Sequence, residues 1–265
     1  VKTKRNLAQE KRKKQSQMGG LLPTPIKDKD SSDGSNGKFK FGASAMQGWR
    51  TGMEDAHITS LDIDTNSHLF SVFDGHGGSE IAIFVERHFG NELVNNPNYK
   101  TGNFPQALID TFLRMDDLIL TPEGIEEIKQ IKDDKKKGDA PQDDFGKLRQ
   151  LFQLPDYDEN GKFRIQAGCT SNVAFIRGDR IYVANAGDSR SVLARAGKAV
   201  AMSFDHKPDN EIERNRITKA GGSIVDGRVN GNLNLSRSLG DLEYKKDTSL
   251  RPEEQLISAY PDIKE

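Results

Sequence analysis

Intrachain disulfides are excluded from the start: the sequence has a single cysteine, Cys169, which fits a reducing compartment. Net charge is also nearly absent. The 39 Lys and Arg against 40 Asp and Glu leave −1, so the chain as a whole makes no electrostatic case for nucleic acid. No apolar run approaches the roughly 20 residues needed to cross a bilayer. The basic opening has no apolar block behind it, so it is not a secretory signal. These absences point to a soluble protein, cytoplasmic and/or nuclear, with a monomer as the default. What is present is enough to fold: 34% hydrophobic residues in 265 suffice for a real core.

Residues 1–38 read as a basic flexible tail. Lys2, Lys4, Arg5, Lys11, Arg12, Lys13 and Lys14 crowd its beginning, and Pro, Ser, Asp and Gly dominate its end. Such a composition buries too little apolar surface to offset ordering entropy. A nuclear-targeting patch is the sharper alternative. Within the tail, Met18-Gly19-Gly20-Leu21-Leu22-Pro23-Thr24 is close to an acylation signal, but Pro23 occupies the place of the expected hydroxyl residue. Membrane association is therefore expected only if Gly19 is acylated.

From Phe39 the texture changes. Strands are expected over 39–47, 57–63 and 69–73. Helical spacing follows, first through Ile81, Phe84, Val85, Phe89 and Leu93 behind a Ser79 cap, then through Leu108, Phe112, Met115 and Ile119. Residues 121–160 are mostly charged and read as a surface insertion with one short helix, or as a partner-binding flap. A strand meander (165–176, 180–186, 191–194) turns at Gly178-Asp179, and a helix over 209–220 stops at Gly221-Gly222. The alternation predicts an α+β architecture around antiparallel sheets.

Four clusters carry chemistry. Arg50 stands near Glu54 and Asp55, an arrangement that a surface turn with a salt bridge would also produce. Asp74-Gly75-His76-Gly77-Gly78 ends a strand. There an Asp can fix a metal, Gly75 can turn its carbonyl toward the same ion, and His76 can donate a proton. Asp188, between two strands, is either a turn residue or a further carboxylate. The run Leu235-Ser236-Arg237-Ser238-Leu239-Gly240-Asp241 reads as a structural loop in which Arg237 or Asp241 makes hydrogen bonds. If Glu54, Asp55, Asp74 and Asp188 gather, they repel unless cations neutralise them. All-oxygen ligation suits Mg²⁺ or Mn²⁺ rather than zinc. Two such ions sharing Asp74 would acidify a water, Arg50 would grip a phosphate, and His76 would protonate a leaving alkoxide. The parts match phosphate monoester hydrolysis.

Gln47-Gly48-Trp49-Arg50, Met53-Glu54-Asp55-Ala56-His57, Val72-Phe73-Asp74-Gly75-His76-Gly77-Gly78, Ala186-Gly187-Asp188-Ser189-Arg190, Asp205-His206-Lys207-Pro208, Ala220-Gly221-Gly222 and Ser236-Arg237-Ser238-Leu239-Gly240-Asp241 occur in an order that resembles the protein phosphatase 2C family. The resemblance runs from about Phe39 to Ile263. It implies a catalytic domain over 39–265 with two packed antiparallel β-sheets flanked by helices, an α-β-β-α sandwich. It implies two Mg²⁺ or Mn²⁺ ions, with Asp74 bridging, Gly75 giving its carbonyl, Glu54 near one ion and Asp55 acting through water. Asp188 matches a third, weaker metal position. Arg50 would bind phosphate, and His76 would be the general acid. His206 and Lys207 look structural. The expected substrates are phosphoserine and phosphothreonine in proteins.

The family pattern continues past a segment like Ser258-Ala259-Tyr260-Pro261-Asp262 with further acidic motifs. The sequence is therefore expected to be C-terminally incomplete, with the activity of this chain depending on those ligands. The competing readings are a truncated, non-catalytic phosphatase-like interaction module and a scaffold that binds phosphoproteins without cleaving them.

Overall fold

The computed structural model describes residues 21–138, 157, 159 and 163–265, in two compact units, Val1–Met53 and Glu54–Glu265. The basic cluster, Gly19, and Leu148, Leu151 and Phe152 of the charged stretch lie outside the described residues.

The first unit is a hairpin. Strand β1 (Leu21–Ser35) pairs antiparallel with β2 (Lys40–Arg50). Its turn is closed by the Asn36 side chain, which accepts from the backbone N–H groups of Lys38 (3.2 Å) and Phe39 (2.9 Å), while Gly37 takes φ 81°. Strand β2 covers 40–47 of the strand expected over 39–47 and runs on to Arg50. The extended β1 differs from the flexible tail read there. Its side chains are mostly exposed, so ladder hydrogen bonds rather than apolar burial order it, and composition does not register that contribution.

The second unit is built on a five-stranded antiparallel sheet. Its strands are β3 (Ala56–Asp64), β4 (Ser67–Phe73), β7 (Ser171–Arg177), β8 (Arg180–Ala186) and β14 (Asp262–Lys264), in the order β14-β8-β7-β4-β3. A three-stranded sheet joins β5 (Gly75–His76), β6 (Gly168–Cys169) and β13 (Leu239–Gly240) in the order β13-β6-β5. Two small hairpins, β9 (Val192–Arg195) with β10 (Lys198–Ala201) and β11 (Ile224–Val225) with β12 (Arg228–Val229), complete the strands among the described residues. Among the described residues the α-helices are α1 (Glu80–Asn95), α2 (Pro97–Lys100), α3 (Phe104–Ile119), α4 (Pro122–Gly138) and α5 (Glu211–Lys219). The α+β class with antiparallel sheets is as the sequence predicts.

Both predicted helix faces are buried: Ile81, Phe84, Val85, Phe89 and Leu93 of α1, and Leu108, Phe112, Met115 and Ile119 of α3, are each at most 2% exposed. They close on the sheet through Phe73, whose ring lies 6.0 Å from Phe89, which in turn meets Phe112 edge-on at 5.4 Å. Ser79 occupies the N-cap position of α1 but its side chain makes no capping bond. Helix α5 ends at Gly221, φ 81°, as the Gly-Gly pair predicts.

The charged stretch departs from expectation. Its first part is not a surface loop with a short helix but the 17-residue α4. Ile128 (0%) and Ile131 (5%) are buried in the main core. Glu127 binds Arg87 (3.0 Å) and His88 (2.7 Å) of α1. A narrow isoleucine stripe in a charged context was enough to dock it.

Candidate active site

Asp74 follows directly on β4. Its carbonyl accepts from the Thr170 N–H (2.9 Å), and its own N–H donates to Thr170 Oγ1 (3.3 Å). The next residue has to be glycine, because a Cβ on Gly75 would lie 2.3 Å from the Glu54 carbonyl oxygen. That close approach puts the Glu54-Asp55 segment beside the end of β4. Gly187 similarly leaves no room for a Cβ, which would lie 2.5 Å from the Thr170 side chain. It delivers Asp188 from the end of β8, where Asp188 pairs with Lys207.

The electrostatics reflect this convergence. Asp74 stands at an exposed strand end, yet its carboxyl is pushed above the usual range. Partial desolvation contributes most, followed by the charges of Asp55 and Asp188 and a hydrogen bond with Asp55, while His76 opposes them. For His76, desolvation alone would lower its pKa. The hydrogen bond and charge of Asp241, with Asp74 and Glu54 adding, outweigh that and raise it. Glu54, Asp55, Asp74, His76 and Asp188 therefore act on one another within this unit. Among the described residues, no three His, Cys, Asp or Glu side chains are arranged to hold an ion as they stand. The donor chemistry nevertheless fits a hard divalent cation: Asp55 and Asp188 act on Asp74, and all three offer carboxylate oxygens.

Arg50 belongs to the hairpin unit. It ends β2, and its carbonyl accepts from Gln47 Nε2 (2.9 Å).

Sequence reasoning did not pair Asp241 with His76. The two meet at 2.7 Å (His76 Nε2, Asp241 Oδ2) across a separation of 165 residues. The loop Leu235–Asp241 was expected to make hydrogen bonds, and its Arg237 lies at the centre of a buried network. Arg237 donates to Glu213 (2.6 Å from Nη2), to the Tyr260 carbonyl (3.1 Å) and to Asp262 (2.8 Å). His206 accepts from the Gly187 N–H at Nδ1 (3.1 Å) and meets Asp262 at Nε2 (3.1 Å), so it braces the turn that carries Asp188. The hydrogen bond from His206, with the Arg237 charge adding, outweighs the opposing effect of partial burial and leaves Asp262 with a pKa of about 2.

The protein phosphatase 2C family model matches residues 39–140 and 122–265. This chain belongs to the protein phosphatase 2C family. It is 49% identical over 247 residues to a probable protein phosphatase 2C 6 of Paramecium tetraurelia, and 52% to that organism's protein phosphatase 2C 1, covering 93% of this chain and about three quarters of each relative (75% and 74%). A probable protein phosphatase 2C 21 of Arabidopsis thaliana is 41% identical over 255 residues, 93% of this chain and 72% of the relative. Among solved structures, a serine-threonine phosphatase 2C from Toxoplasma gondii superposes with TM-score 0.56 at 18% identity, over 92% of this chain and 75% of that one. A sex-determining protein of C. elegans gives 0.55 at 19%, over 93% and 48%. At those identities the structures speak to the fold, while the family model and the sequence relatives establish this phosphatase 2C chain as a protein phosphatase. Among its described residues, no helix is long and apolar enough to cross a membrane.

Proposed function

We propose that this phosphatase removes phosphate from phosphoserine and phosphothreonine in proteins by attack of a metal-activated water. The observation that carries the reading is the close approach that Gly75 permits, which sets the Glu54-Asp55 segment beside Asp74 at the end of β4; desolvation first, then the charges of Asp55 and Asp188, push the Asp74 carboxyl up. Carboxylates left in such mutual repulsion are a site prepared for cations. Glu54, Asp55, Asp74 and the Gly75 carbonyl would hold two Mg²⁺ or Mn²⁺ ions, with Asp188 serving a third. Bound there, the ions would acidify water and offset phosphate charge.

The chain's own groups complete the chemistry. Arg50, at the end of the hairpin unit, carries a planar guanidinium fork of the kind that suits phosphate oxygens. His76 supplies a proton to the departing serine or threonine oxygen, which avoids expulsion of a strongly basic alkoxide. Gly75 keeps the Glu54 backbone close to Asp74. The test is phosphate release from a phosphothreonine peptide, with and without Mn²⁺ and with Asp74→Asn. Turnover should require the metal and fall by about a hundredfold or more in the variant, given that a metal contributes several kcal/mol to such a barrier. Tight peptide binding without release would instead favour the scaffold reading, and metal-independent turnover would reject the mechanism.

A further inference from the structure

We propose that Asp241 is a positioning residue for the proton transfer. It fixes the His76 ring through Nε2 and thereby commits Nδ1 to the substrate. The inference rests on His76 being the general acid.

The geometry argues for a built pair. In the small sheet, Gly75 faces Cys169, and His76 faces Gly168. On the other side Leu239 faces Cys169, and Gly240 faces Gly168. Gly168 thus lies between His76 and the residue preceding Asp241. A Cβ on Gly168 would come 2.4 Å from Asp241 Oδ2 and 2.9 Å from His76 Nε2, so only glycine there lets carboxylate and imidazole meet. Asp241 is held in the left-handed region at φ 49°, a conformation that costs a non-glycine residue energy and needs surrounding structure to impose it.

That structure is on both sides of it. The Asp241 N–H donates to the Ala167 carbonyl (3.2 Å), and Ser238 Oγ donates to Asp241 Oδ2 (2.5 Å). Behind them, Asp116 of α3 accepts from the Gly240 N–H (2.8 Å) and from Lys245 Nζ (2.5 Å), which also donates to the Ser238 carbonyl (2.8 Å). The backbone next to Asp241 is therefore anchored to a core helix through Gly240, and Asp241 is buried, 5% exposed, while the imidazole it holds is partly open to solvent.

In the reaction, the Nδ1 proton of the imidazolium passes to the leaving oxygen as the P–O bond breaks and its electron pair moves onto that oxygen. The neutral ring keeps its Nε2 proton on Asp241, so it is returned in one tautomer and orientation.

Two measurements test this. Turnover of a phosphothreonine peptide is compared with that of 2,4-dinitrophenyl phosphate, whose leaving group needs no proton, in wild type, H76A, D241N and S238A at saturating Mn²⁺. Near-UV circular dichroism serves as the control for folding. H76A should lose about a hundredfold on the peptide, and D241N about ten- to a hundredfold, with little loss on the activated ester. S238A should show the same selectivity more weakly. Equal losses on both substrates in H76A would remove the general-acid reading and this inference with it. Selective loss in H76A with equal losses in D241N would overturn the role of Asp241 alone. Independently of turnover or of any variant, long-range ¹H–¹⁵N correlation on the wild-type protein, at one fixed pH above neutral, should show neutral His76 protonated at Nε2. Protonation at Nδ1 would refute the proposal.

Discussion

Replacing Glu213 by glutamine removes the charge on which two buried guanidinium groups converge. The carboxylate, 2% exposed, accepts from Arg237 Nε and Nη2 (3.0 and 2.6 Å to Oε1), from Arg216 Nη1 (2.6 Å) and from Ser236 Oγ (2.6 Å). Burial would raise its pKa, but Arg237 and Arg216 prevail and hold it at about 2, against an ordinary value of 4.5. A fall of about 2.5 units at about 1.36 kcal/mol each corresponds to about 3 kcal/mol. That is close to the roughly 3–5 kcal/mol typical of breaking a buried pair from one side. Because the folded pKa is depressed, this stabilisation is fully present above pH 4.5 and is lost as pH falls toward about 2. Urea unfolding of wild type and E213Q near neutral pH should therefore differ by about 3 kcal/mol. The gap should narrow progressively below pH 4.5 as the wild-type carboxylate becomes protonated. A difference under about 1 kcal/mol, the usual worth of an exposed pair, or a gap that does not change with pH, would refute the reasoning.

Other outcomes follow from the same structure. Ile128→Ala should cost about 2–5 kcal/mol in denaturant unfolding, because α4 belongs to the core; a loss typical of surface residues would contradict its docking. Phe112→Ala should cost about 3–5 kcal/mol by the same measurement, since the ring joins α1 to α3 in full burial. Gly75→Ala should lower both the melting temperature and phosphate release, because its Cβ would meet the Glu54 backbone; a variant with wild-type melting and turnover would show that the two segments can part at no cost.

What the sequence discloses depends on how local the determining interaction is. The faces of α1 and α3 were legible because their apolar residues recur at helical spacing. The strands through Leu69-Phe73 and Arg180-Ala186 were bounded by turn residues. Strand β1 was not, because its order comes from pairing with β2 rather than from its own side chains. Helix α4 was hidden because a stripe centred on Ile128 and Ile131 lies among acids and lysines. At the candidate site, Asp74-Gly75-His76 was recognisable as a strand end rich in special residues. No spacing rule reaches from His76 to Asp241 or from Glu213 to Arg237, whose partners are brought together only by the completed fold.

Manganese binding measured by titration calorimetry, on the wild-type chain and on Asp74→Asn, addresses the central claim most directly. Convergence of Glu54, Asp55 and Asp74 on divalent cations predicts saturable binding by the wild type, weakened about ten- to a hundredfold or more when one carboxylate is neutralised. Equal binding by the two proteins, or none by either, would contradict it.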